Sequence, residues 1–147
     1  MSFWDWALHA YGRPGVPEAC LMLQDEHGQQ TAFLLWAAWA KPGRSELETG
    51  AELARHWHRS ILGPLRQSRR ALKPALPPVE DAPRLALRED VKAAELKAER
   101  LLMETLEGLC DRQAAPEGAL AAMIEAGKAW GDPPPVDALE TLATALA

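Results

Sequence analysis

The sequence predicts an all-α fold: a compact bundle of about five helices, bent at Pro64, followed by an Ala-rich helical C-terminal tail. Three observations predict it. Apolar residues recur at three- and four-residue spacing along most of the 147 residues. Pro and Gly cluster between those periodic segments and so mark breaks between helices. Val, Ile and Thr are scarce, and no stretch alternates polar with β-branched residues as a half-buried strand does. Hydrophobic residues are 48% and charged residues 25% of the chain, which places it among globular proteins and not disordered ones.

The elements follow in order. Ser2 suits the cap of a first helix over residues 3–11, and Gly12-Arg13-Pro14-Gly15 ends it. Phe3, Trp6 and Ala10 share one face of that helix, with Trp4, Leu8 and Tyr11 on another. Trp4 and Trp6 lie about 200° apart, so one of them is a candidate interface residue. Pro17 opens a second helix that stops at Gly28. Residues 31–40 form a third helix, apolar almost all round and therefore the most buried. A fourth starts near Thr49, with Leu53 or Ala54, Trp57, Ile61 and Leu65 inward. Gly63-Pro64 bends it, and helix resumes to Lys73. Residues 74–83, with four prolines, read as an extended connector. The longest helix is expected over residues 85–110, its inner stripe being Leu87, Val91, Ala94, Ala98, Leu101 or Leu102, Thr105 and Leu109. A loop over 111–118 leads to a helix over 117–130, the linker Gly131-Asp132-Pro133-Pro134-Pro135 and a short helix over 137–146. Two units are expected: a bundle over 2–110 and an extension over 111–147.

Several strings in this order resemble a small family of uncharacterised proteobacterial proteins. They are Ser2-Phe3-Trp4-Asp5, Pro14-Gly15-Val16, Leu34-Leu35 with Ala38-Trp39, Pro64-Leu65-Arg66 with Arg69-Arg70 and Leu72-Lys73, and Val91-Lys92-Ala93-Ala94-Glu95-Leu96 with Ala98-Glu99-Arg100. The similarity spans about residues 2–110. It implies a bacterial helical protein and brings no reaction, cofactor or partner with it. The tail after Cys110 lies outside it.

Charge is unevenly distributed. The net charge is −5, but Arg55, Arg59, Arg66, Arg69, Arg70 and Lys73 fall in one segment without an acid. That segment carries +6 and leaves −11 for the remainder. The total argues against a nucleic-acid binder, and Trp57 alone supplies aromatic stacking inside the segment. A local anion or acidic-partner site at Arg59, Arg66, Arg69, Arg70 and Lys73 is compatible with it. The commoner fate of such a cluster is pairing within the chain, for which Glu95 and Glu99 are the nearest candidates.

Catalytic patterns are absent. Glu48, Glu52, His56 and His58 lack the Glu-x-x-His pairs of a di-metal bundle, and Cys20 and Cys110 form no zinc spacing. There is no Gly-rich phosphate loop and no nucleophile elbow. No metal or cofactor is expected. The longest apolar run, residues 32–40, is far short of the roughly 20 residues of a membrane span, and the N-terminus lacks a signal-peptide pattern. The expected address is therefore cytoplasmic, without a membrane. The leading expectation is a non-catalytic interaction or adaptor module. Its partner is another protein or a second copy, docked through Trp4 or Trp6 and the tail stripe Leu139, Leu142 and Leu146. The rival is an enzyme or small-ligand binder whose pocket is walled by Trp and lined by Arg66, Arg70, Glu95 and Glu99. Anion or RNA binding through residues 55–73 is a third reading.

Overall fold

The structure, a computed structural model, describes residues 1–112, 118–131 and 133–147. All regular structure among them is helical. The elements are α1 (Phe3–Tyr11), α2 (Val16–His27), α3 (Thr31–Ala40), α4 (Arg44–Trp57), a π turn (His58–Leu62), α5 (Gly63–Ala71), α6 (Asp81–Glu107), α7 (Ala119–Trp130) and α8 (Val136–Leu146). Residues 2–110 hold six α-helices and the π turn, a rough match to the five expected, with α4, the π turn and α5 following one another without a break. The expected helix start at Glu117 and the linker's Asp132 lie outside the described residues.

Helix α3 is the axis of the fold. All ten of its residues are buried. Its first turn is capped by Gln30, whose Oε1 accepts from the Phe33 amide at 2.7 Å. Helices α4, α6 and α7 pack around it, and α8 lies against α2 and α7. One core therefore runs from Phe3 and Trp36 to Met123, Leu139 and Leu142. Residues of the extension share that core. Trp130 Nε1 donates to the Gly28 carbonyl at 2.7 Å, and Arg55 donates to the Ala129 and Trp130 carbonyls at the C-terminus of α7. Arg13 similarly reaches the Leu146 carbonyl at the end of α8. Cations at these helix ends satisfy carbonyls that have no partner within their own helix.

The bend before Pro64 is a π turn. The Gly63 amide closes it by donating to the His58 carbonyl, five residues back. Proline offers no amide and its ring collides with the carbonyl four residues earlier, so the chain widens directly ahead of it. The extra residue shifts the register: Leu62 is fully buried while Ile61, the expected inward residue, is exposed. Helix α4 begins at Arg44 instead of near Thr49, because Gly43 provides the extended residue before it. Helix α6 begins at Asp81, inside the expected connector. Pro83 falls in its first turn, where a missing amide breaks no intrahelical bond.

The inner stripe of α6 differs from the expected one. Ala98, Leu102, Met103 and Leu106 face the core, and Leu109 is half-buried. Leu87, Ala94, Leu101 and Thr105 are exposed. Val91, of the expected stripe, is half-buried, and Arg84, Arg88, Glu95 and Glu99 turn inward beside it. The N-terminal half of α6 has α5 as its neighbour, and α5 buries no residue fully, so charge pairing sets the facing there.

Candidate functional site

A cavity of about 480 Å³ opens where α1, α5 and α6 meet over the ends of α2 and α3. Helical periodicity builds each wall. Trp4, Ala7, Leu8 and Tyr11 recur at i, i+3, i+4 and i+7 on α1. Lys92, Glu95, Leu96, Glu99 and Met103 repeat that pattern on α6, and Arg66 and Arg69 lie one turn apart on α5. Gln24 and Thr31 form the inner end. The wall is therefore apolar along α1 and charged along α5 and α6.

The charged side centres on Glu95. Its Oε1 lies 3.2 Å from Arg66 Nε and its Oε2 lies 2.8 Å from Arg69 Nε. The Arg66 contact is an aligned hydrogen bond. The Arg69 N–H is turned off the oxygen line and makes an ion pair only. These side chains are mostly shielded, at 13% (Arg66), 27% (Arg69) and 15% (Glu95) exposure. Two guanidinium groups thus face one carboxylate in a partly dry setting. Lys92 adds a third cation at the mouth, drawn also toward Glu89 at 3.5 Å.

Glu99 sits one turn further in. Desolvation by burial raises its pKa above the ordinary carboxylate range; Arg66 opposes that and Glu95 adds to it. Beyond it the Tyr11 hydroxyl interacts with Thr31 and with the Cys20 thiol. Burial raises the Tyr11 hydroxyl strongly and pushes the Cys20 thiol up to about 11. A thiol held protonated is a poor nucleophile, so Cys20 is a packing and hydrogen-bonding group here.

The pocket brings together Arg66, Arg69, Glu95, Glu99 and Trp4 of the residues singled out from sequence. Arg70, expected in the lining, is exposed, and Arg69, one turn from Arg66, lines the cavity instead. Arg59 and Lys73 are likewise exposed and away from the cavity. Trp57 lies elsewhere: it is half-buried and donates through Nε1 to the Ala98 carbonyl at 2.9 Å, tying α4 to α6. Trp4 and Trp6 are both half-buried, flanking the inward Phe3, Ala7 and Ala10. Trp6 lies near Phe3, and the Arg100 guanidinium stands 5.4 Å from the Trp4 ring. Leu139 and Leu142 are fully buried and Leu146 is half-buried, so the tail stripe is covered within the chain and is not an exposed docking face. The apolar stripe remained, but α2 already covers it.

Sequence reasoning missed Tyr11, Gln24, Thr31, Lys92, Leu96 and Met103. The signal for three of them was present: the Lys92–Leu96–Met103 spacing surrounds Glu95 and Glu99 on one face. Gln24 and Thr31 reach the pocket only through tertiary packing. No three His, Cys, Asp or Glu residues gather as a metal-binding group among the described residues.

The sequence profile of a family described as protein of unknown function (DUF2390) matches residues 2–106. The chain belongs to that family. The DUF2390 match spans α1 to nearly the end of α6 and therefore every residue lining the cavity, while α7 and α8 lie beyond it. No curated protein matches the chain, and no solved structure does. No helix among the described residues is long and apolar enough to cross a membrane.

Proposed function

We propose that the chain is a small-molecule-binding protein, with a non-catalytic site in the cavity between α1, α5 and α6. The observation that carries this reading is the cavity itself. At about 480 Å³ it falls within the several-hundred-Å³ range of ligand sites, and it joins an apolar wall to a short set of convergent polar groups. Leu8 and Leu96 stand exposed at its rim, consistent with an apolar portion of a ligand crossing it. A non-catalytic role agrees with the chemistry inside. The thiol is held protonated, and Glu95 is occupied by two arginines. The uncharged dye N-phenyl-1-naphthylamine tests the reading without regard to charge. It should bind at one site per chain with enhanced fluorescence. Leu96→Trp, which fills the cavity from an exposed position, should abolish that binding while leaving the melting temperature near wild type. Undiminished binding by the variant contradicts the proposal.

A second reading, docking of another protein or a second copy, is favoured by one region only. Leu76, Val79, Leu85 and Leu87 are exposed at the α5–α6 end, close in sequence to the exposed Arg70 and Lys73. Leu85→Glu combined with Leu87→Glu should abolish any concentration-dependent association seen by sedimentation, and a partner retained by that variant rules the surface out.

A further inference from the structure

The pocket's charges are unbalanced, and the imbalance selects a ligand. Arg66, Arg69 and Lys92 supply three cations to the wall, against Glu95 and Glu99. Glu95 meets each arginine at its Nε, one carboxylate oxygen apiece. The terminal nitrogens of both groups, four N–H bonds on each guanidinium, make no hydrogen bond to another side chain among the described residues. Both side chains are largely shielded, but their terminal nitrogens keep contact with water, so an anion entering the cavity can take the place of that water. Burial raises the pKa of Glu99, while Arg66 acts against that shift. Lys92 is partly offset by Glu89, which lies outside the cavity. The opposite wall, Trp4, Ala7 and Leu8, offers no charge at all.

We infer that the ligand is an amphipathic anion, its carboxylate or phosphate head seated on Arg66, Arg69 and Lys92 and its apolar body against Trp4, Leu8 and Leu96. This rests on the small-molecule-binding reading above. A planar guanidinium pair beside a lysine recognises an oxyanion in two-pronged fashion. Glu95 is a positioning residue: it holds the two arginines side by side without exhausting their donors.

The test uses one naphthalene body with four heads, titrated calorimetrically into the full chain. The probes are 1-naphthaleneacetate, 1-naphthyl phosphate, 2-(1-naphthyl)ethanol and 2-(1-naphthyl)ethylamine. At least one anion should bind tenfold or more tightly than the alcohol, with the amine weakest. The tighter of the two anions identifies the head as carboxylate or phosphate. Raising the salt concentration should weaken the anions and leave the alcohol unchanged. Arg69→Gln should reduce the anion-to-alcohol ratio at least fivefold. Lys92→Gln, at a side chain that is 45% exposed and so harmless to folding, should reduce it about threefold. Equal binding of alcohol and anions, or tightest binding of the amine, overturns the inference while leaving the pocket in place. Failure of all four probes to bind, or binding undiminished by Leu96→Trp, overturns the binding site itself.

Discussion

Helix α3 and helix α5 are nearly equal in length and opposite in construction. Every residue of α3 is buried, whereas α5 buries none fully. Around α3 the packing is dry and aromatic: Trp36 is fully buried, Trp39 almost so, and Phe3 stacks on Trp39 with ring centroids 5.4 Å apart. Along α5 the contact with α6 is carried by Arg66, Arg69 and Glu95, and further out by Arg84, which is buried and bonded to the Pro74 carbonyl and Asp81. The difference separates two tasks. Burial of large apolar side chains around α3 supplies the folding free energy. The α5–α6 pair is held by charges whose net contribution to stability is small. A cavity with unspent donors is tolerable there and would be ruinous around α3.

Mutations sharpen that contrast, beginning with the largest effect. Leu142→Ala removes a fully buried side chain from the dry side and should cost roughly 2–5 kcal/mol. Leu87→Ala, on the exposed side of α6, should change stability by no more than about 0.5 kcal/mol. Chemical denaturation measures both, and equal effects would erase the distinction. Gly50→Ala is next. A Cβ at Gly50 would stand 2.6 Å from a ring carbon of buried Trp36, which has no room to yield. The expected cost is about 1–3 kcal/mol.

On the charged side Glu95→Gln leaves two shielded guanidinium groups without a counter-charge. It should destabilise by about 1–3 kcal/mol, less than Leu142→Ala. Arg100→Ala, which removes the exposed cation over Trp4, should cost only about 0.5–1 kcal/mol.

Two titrations give stability opposite slopes with pH. The folded chain keeps the Glu99 proton to higher pH than the unfolded chain does, so its contribution to stability declines as pH rises upward from about 4.5. Desolvation, aided by Arg66, lowers the pKa of His58, which packs edge-on against Trp130. The folded chain releases that proton sooner than the unfolded one, so stability declines as pH falls through 6.5. Glu99→Gln should remove the first slope and keep the second; a stability profile unaltered by Glu99→Gln would contradict the burial of that carboxyl.

The same contrast explains what was legible in the sequence. The apolar run of α3 announces a buried helix with the correct ends, because burial on all sides leaves one reading. Segment 58–65 shows a bend at Pro64, yet the π turn and the exchange of Ile61 for Leu62 depend on where the widened turn falls. The α6 stripe was misplaced because an apolar-inward rule assumes a neighbour that buries apolar surface, and α5 does not. The basic segment and Glu95 pointed to internal pairing from charge alone. That Arg69 and not Arg70 completes the group depends on how α5 is turned toward α6, because both positions neighbour Arg66 on the helix. Tyr11, Gln24 and Thr31 come from three different helices, and no spacing within one helix joins them.

The central claim is that the α1–α5–α6 cavity holds a ligand while the aromatic core does not respond. The indole N–H region of a ¹H–¹⁵N spectrum tests it directly, since the chain has six Trp residues and each gives its own signal. With 1-naphthaleneacetate added, the Trp4 signal should shift in proportion to occupancy while those of Trp36 and Trp39 stay in place. A stationary Trp4 signal at saturating probe, or shifts of equal size at Trp36 and Trp39, would contradict the account.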